Sequence, residues 1–225
     1  MENILQELLE AKEEKYKEFM QGLLPTVDRD TVIGVRMPRL RKIAKRLIKN
    51  GHGSHFLCSL PHKYYEENLI HALIISELSD VGLALSETER FLPFVDNWGV
   101  CDSLRPRSFS PSEPQLIEKI KLWIKSDRTY VARFAIEMLM LHFLDDGFRA
   151  EYLDAVAAVR TNEYYLNMMV GWYFATALAK RYGEAVRYIE ERRLSPVAHA
   201  MAIRKSVESR RIDEEKKAYL KTLRL

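Results

Sequence analysis

Apolar positions recur along this chain with a helical spacing almost from end to end. Residues 3–21 set Ile4, Leu5, Leu8, Leu9, Ala11 and Tyr16 among Glu and Lys, a three-to-four-residue recurrence rather than an alternation. Gly22 to Asp30 interrupts it with Pro25 and Asp28-Arg29-Asp30, which predicts a loop. After Ile33-Gly34-Val35-Arg36-Met37-Pro38, the segment 39–49 puts Leu40, Ile43, Ala44, Leu47 and Ile48 on one face. Arg39, Lys42, Lys45, Arg46 and Lys49 take the other, which makes this the most basic helix of the chain. Pro38 suits the first turn of that helix, and Asn50-Gly51-His52-Gly53 stops it.

Beyond residue 53 the pattern repeats. Four segments open on turn or capping residues and run into a mostly apolar helix: 60–65 into 68–76, 126–130 into 133–143, 161–165 into 168–180, and 194–196 into 199–207. The last three starts are about 35 and 33 residues apart, a period that paired-helix repeats give. More polar helices fall between them, near 82–93, 113–125, 147–158 and 183–192, and 212–225 reads as a final polar cap. The expectation is an all-α fold, an α-solenoid of antiparallel helix pairs, HEAT-like or ARM-type, with residues 1–225 as a single domain.

Composition supports this and narrows the chemistry. The 225 residues are 47% hydrophobic, enough for a sizeable core, and only 9 Gly and 8 Pro punctuate them. Net charge is +3 and the pI about 8.7, so a basic surface exists only if the charges segregate. The helix 39–49, with Arg105, Arg107, Lys119, Lys121 and Lys125, is a candidate phosphate-binding surface; a solvated helix face is the plain alternative. Cys58 and Cys101 lack metal-type spacing and sit among apolar residues, which predicts buried free thiols in a reducing compartment. Met1-Glu2-Asn3-Ile4 has no signal pattern and no apolar run is long enough to span a membrane, so a cytosolic (cytoplasmic) protein is expected. The six histidines form no HExxH or Cys/His pattern, and there is no phosphate loop or Gly-x-Ser-x-Gly elbow; neither a metal nor a cofactor is expected.

The candidate chemistry centres on Asn97-Trp98-Gly99-Val100-Cys101-Asp102. Trp98 and Asp102 are four apart, so one helical turn puts an indole and a carboxylate on the same side. They would serve a cationic base or an electron-poor sugar, or else be a packing Trp beside a helix-terminal Asp. Arg133 interrupts an apolar helix, either as a functional cation or as the partner of Glu137 four residues on. Trp172 lies among Met and aromatic residues next to Gly171. A mid-helix glycine costs roughly 0.8–1 kcal/mol against alanine, so it reflects close packing or access to a ligand.

The ordered set Ile33-Gly34-Val35-Arg36-Met37-Pro38, Leu40-Arg41-Lys42, Asn97–Ser103, Ser126-Asp127 leading to Arg133, Gly171-Trp172 and Leu194-Ser195-Pro196 resembles the AlkD-like DNA alkylation repair family over about residues 15–210. The resemblance implies DNA glycosylases built of HEAT-like repeats, which excise cationic N3- or N7-alkylated purines from double-stranded DNA. It implies Asp102 as the catalytic carboxylate, Trp98 and Trp172 as the aromatic frame of the damaged nucleotide, and Arg133 as an active-site arginine near the DNA backbone. Lys42, Lys45 and Arg46 are the accompanying candidates for phosphate contact, and a monomer is expected. Three features depart from the family's pattern. Trp98-Gly99 stands where Trp-Asp is frequent, Phe19-Met20 stands where Tyr-Met is frequent, and Gly22–Thr31 is longer. A non-catalytic, DNA-structure-binding relative is the alternative.

Overall fold

The computed structural model describes residues 4–225, and within them it is all-α with no strand. Residues 1–3, including the first position of the expected helix 3–21, lie outside the described residues. The chain divides into two compact units, Met1–Ser108 and Phe109–Leu225.

The first unit holds α1 (Ile4–Glu10), α2 (Glu14–Leu23), α3 (Met37–Lys49), α4 (Gly53–Leu57), α5 (Tyr65–Ser76), α6 (Val81–Phe91) and α7 (Trp98–Cys101). The second holds α8 (Pro114–Trp123), α9 (Thr129–His142), α10 (Ala150–Ala157), α11 (Tyr164–Lys180), α12 (Tyr182–Glu190), α13 (Pro196–Glu208) and α14 (Glu214–Thr222). Within each unit the main packing skips one helix: α3 on α5 and α5 on α7, then α9 on α11 and α11 on α13. The intervening helices attach to their sequence neighbours. Within each unit that connectivity is HEAT-like. In α9 every residue from Tyr130 to Met140 is buried, as expected of a helix apolar all round.

Helix starts follow local chemistry. Side-chain oxygens of Asp80, Asn97, Ser195 and Asp213 accept backbone N–H groups of Leu83, Val100, Ala198 and Lys216 at the starts of α6, α7, α13 and α14. The Glu67 carboxylate reaches back to the N–H of Tyr64 at 3.0 Å and closes the start of α5.

One expected helix, 3–21, is two. The chain breaks at 11–13 because the N–H of Glu13 donates to the carbonyl of Gly34 at 3.0 Å rather than along a helix. Gly34 allows that approach: its φ is +98°, and a Cβ there would lie 2.6 Å from Cβ of Lys17 and 2.9 Å from the Glu13 carbonyl. The same loop closes on Glu66 of α5, which is buried. Its carboxylate accepts the N–H groups of Ile33, Gly34 and Val35 at 3.0, 2.7 and 3.2 Å, a ring of backbone donors that compensates the buried charge.

Two further expectations change. The short helix α4 was not legible as an element, and Cys58, which closes it, is exposed, while Cys101 is buried. Leu57 faces inward, and the next helical position is turned by about 100°, which carries Cys58 outward. No helix among the described residues is long and apolar enough to cross a membrane.

Candidate functional site

In the first unit Asp102 lines a cleft of about 260 Å³ whose walls come from three elements. Helix α3 contributes Arg41 and Lys45, α5 contributes Ser76 and Glu77 at its end, and the loop after α7 contributes Ser103, Arg105 and Arg107. Asp102 closes α7: its N–H donates to the carbonyl of Trp98 at 2.9 Å, so the turn that places Trp98 and Asp102 on one side is formed. Asn97 starts this turn with its side chain on the N–H of Val100 at 2.9 Å, and Ser103 returns its hydroxyl to the carbonyl of Gly99 at 2.7 Å. The four-residue helix that carries Asp102 is thereby held at both ends.

The basic helix α3 is sorted by partner. Arg36, at its N-cap, donates from Nε to Glu13 at 2.8 Å. Arg39 pairs with Glu7 of α1 at 2.8 Å, and Arg46 grips the same carboxylate through both terminal nitrogens. Hydrogen bonding to Arg46, with Arg39 adding charge, holds the Glu7 carboxyl below the usual carboxylate range. Arg41 and Lys45 are exposed, lie one turn apart and pair with no acidic side chain among the described residues; both face the Asp102 cleft. Across it Arg107 pairs with Glu77 at 2.8 Å.

Of the three phosphate candidates on this helix, therefore, Lys45 borders the cleft, Arg46 is committed to Glu7, and Lys42 is exposed outside the cleft lining. Sequence reasoning included Arg41 in the basic helix without singling it out, although its i, i+4 relation to Lys45 was legible, and passed over Ser76, whose role depends on the loop it meets. Trp98 does not line the cleft. Its indole N–H donates to the carbonyl of Leu23 at the end of α2, at 3.0 Å, which fixes the ring against the first unit's N-terminal helices. Gly99, beside it, is accounted for by Tyr65: a Cβ at residue 99 would stand 2.5 Å from the Tyr65 hydroxyl oxygen.

In the second unit Arg133 is buried on α9 and donates from Nη1 to the carbonyl of Tyr165 in the first turn of α11 at 2.7 Å. Glu137, one turn on, is also buried. Trp172 is partly exposed at a groove of about 460 Å³ that also carries Lys180, Lys205 and Arg211, and the Lys205 ammonium stands 5.7 Å from the centre of its ring. Gly171 is a packing glycine. A Cβ there would meet Cβ of Met201 at 2.6 Å and the backbone N of Ala202 at 3.1 Å, so α11 and α13 touch through it.

A cleft that sets a carboxylate beside several cations, two of them the exposed Arg41 and Lys45, suits a ligand that is anionic along one edge and cationic at its reacting centre. No curated protein matches the chain. A family model described as DNA alkylation repair enzyme matches residues 4–206, from the start of α1 to within two residues of the end of α13, and so covers the whole Asp102 cleft and Trp172 itself, while Glu208, Ser209 and Arg211 of the Trp172 groove lie beyond it. With so much of its length matched, the chain belongs to the family of DNA alkylation repair enzymes.

Proposed function

We propose that this protein excises cationic N3- or N7-alkylated purines from double-stranded DNA by hydrolysing the N-glycosidic bond. The observation that carries the proposal is the Asp102 carboxylate in a cleft with Arg41 and Lys45 along one wall and Arg105 and Arg107 along the other. The cations take DNA phosphates, and their grip brings a deoxyribose to the carboxylate. Alkylation at N3 or N7 puts positive charge on the base and makes it a good leaving group. As the bond breaks, positive charge moves to the sugar, where Asp102 stabilises the oxocarbenium-like state and orients water for attack at C1′. In the second unit, Trp172 offers an indole face for stacking, and Arg133 supports the N-terminal turn of the helix that carries it.

Release of 7-methylguanine from methylated duplex DNA, compared between the wild type and Asp102→Asn, tests this. Wild-type release that falls by a hundredfold or more in the variant is the expected result, on the scale of about 10²–10³ seen when one electrostatic partner of a transition state is removed. No release by the wild type at high enzyme concentration overturns the catalytic proposal. One observation favours a second reading, a non-catalytic DNA-structure binder. The space beside Trp98 is filled by the Tyr65 hydroxyl, so residue 99 supplies no carboxylate of its own. On that reading salt-sensitive DNA binding survives Asp102→Asn unchanged.

A further inference from the structure

The two residues that end α5 and follow it, Ser76 and Glu77, bind the loop that follows Asp102 through backbone and side chain. Ser76 is buried, and its hydroxyl donates to the carbonyl of Ala72 at 2.6 Å. With the proton so placed, its oxygen accepts the N–H of Arg105 at 2.8 Å. The carbonyl of Ser76, an end-of-helix acceptor with no helical donor, takes the N–H of Arg107 at 3.1 Å. Glu77 then holds the Arg107 guanidinium at 2.8 Å. Two consecutive residues thus fix two alternate backbone positions and one side chain of the loop.

Packing alone does not require this. Alanine is the better helix former and fills a buried site of this size without a polar atom to satisfy. What the hydroxyl adds is an acceptor for the Arg105 N–H, which belongs to a residue of the cleft wall, together with a longer approach to the Ser103 carbonyl of the same loop at 3.4 Å. Ser76 itself lines the cleft beside Asp102.

We infer that Ser76 and Glu77 form a clasp that positions the Arg105–Arg107 wall relative to the Asp102 carboxylate, and so sets where a gripped phosphate places the adjacent sugar. The inference rests on the glycosylase proposal, because only a reacting sugar makes that register matter. Ser76 is a positioning residue, acting through Arg105 and Arg107. Glu77 has an opposite second effect: it neutralises Arg107 and limits the backbone grip.

The test uses the full chain with methylated duplex DNA and compares Ser76→Ala, Ser76→Thr and Glu77→Gln with the wild type in single-turnover base release, in duplex affinity as a function of salt, and in thermal unfolding. Ser76→Ala is expected to lower the single-turnover rate by roughly ten- to a hundredfold, the scale of a small misplacement of reacting groups, while duplex affinity changes less than the rate. Ser76→Thr keeps the hydroxyl and restores the rate. Glu77→Gln frees Arg107, tightens duplex binding and steepens the logarithmic salt dependence by about one. A Ser76→Ala protein that releases base at the wild-type rate overturns the clasp. So does one in which rate and affinity fall together with the melting temperature and Ser76→Thr rescues neither. If the wild type releases no base, the glycosylase proposal and the clasp fall together; if the wild type is active and the variants match it, only the clasp falls.

Discussion

The Tyr65 hydroxyl occupies the space that a side chain at residue 99 would need, 2.5 Å from the position of its Cβ. Tyr65 is buried on α5, and burial pushes its phenol pKa up, so the group that meets Gly99 is a neutral hydroxyl rather than a phenolate. Gly99→Ala is expected to destabilise the fold by about 1–3 kcal/mol, the usual scale of overpacking. In a Tyr65→Phe background the same substitution is expected to cost much less. A double-mutant cycle by chemical denaturation measures the coupling; a value within error of zero would show that residue 99 is glycine for another reason.

Charge on α3 is divided between a committed side and a free side. Replacing Arg41 and Lys45 with Gln is expected to lower the logarithmic salt dependence of duplex binding by about two, one per lost phosphate contact. Replacing Arg39 and Arg46 is expected to leave that slope nearly unchanged and to lower stability by about 1 kcal/mol, because Glu7 loses its partners. Titration of binding against salt for the two double variants separates the roles.

A pair of histidines gives the first unit an acid limit. His62 Nε2 and His71 Nδ1 lie 2.9 Å apart, His71 is wholly buried, and Phe56 and Phe91 stack on the two rings. Burial lowers His62 from 6.5 to about 4; burial, then the charges of His62 and Arg90, lower His71 to about 3. Both are neutral when folded and take up protons on unfolding below about pH 6.5. Their contribution is therefore full above that pH and is lost as pH falls toward 4 and 3, at up to about 1.4 kcal/mol per pH unit for each proton. Glu7, also held low, acts with the same sign through a lower window. His71→Phe is expected to flatten the dependence of unfolding free energy on pH between 6 and 4, which denaturant titrations at a series of pH values would register.

Gly171 sets two effects against each other. Alanine there would gain up to about 1 kcal/mol in helix propensity, but its Cβ would sit 2.6 Å from Cβ of Met201 and 3.1 Å from a backbone nitrogen that cannot turn aside. Packing wins, and Gly171→Ala is expected to lower stability by about 1–3 kcal/mol. An unchanged or raised melting temperature would contradict this.

Much of the helical plan was legible because it depends on local patterns. The apolar runs at 68–76, 133–143, 168–180 and 199–207 correspond to α5, α9, α11 and α13, and Ser195-Pro196 marks its helix start correctly. What could not be read depends on partners distant in sequence. The break at 11–13 is caused by Gly34, the fate of Arg46 by Glu7, and the value of Glu66 by a loop more than thirty positions earlier. At the candidate site, the Trp98–Asp102 turn and Lys45 were visible in the spacing. Arg41 was read as part of the basic helix and not singled out, and nothing in the sequence distinguishes Ser76 from an ordinary buried helix serine until the Arg105 amide is seen to meet it.

The three amides bound by Glu66 also bear on how the first unit opens. Residues 33–35 belong to no helix, yet their N–H groups end on a carboxylate rooted in α5 and sealed from water. Solvent deuterium reaches them only when that part of α5 lets go. In native-state hydrogen exchange Ile33, Gly34 and Val35 should therefore share the slow opening free energy of α5 rather than the fast exchange of a surface connection. A stretch of irregular backbone would then report on the stability of the helix that carries Ser76 and Glu77 to the cleft.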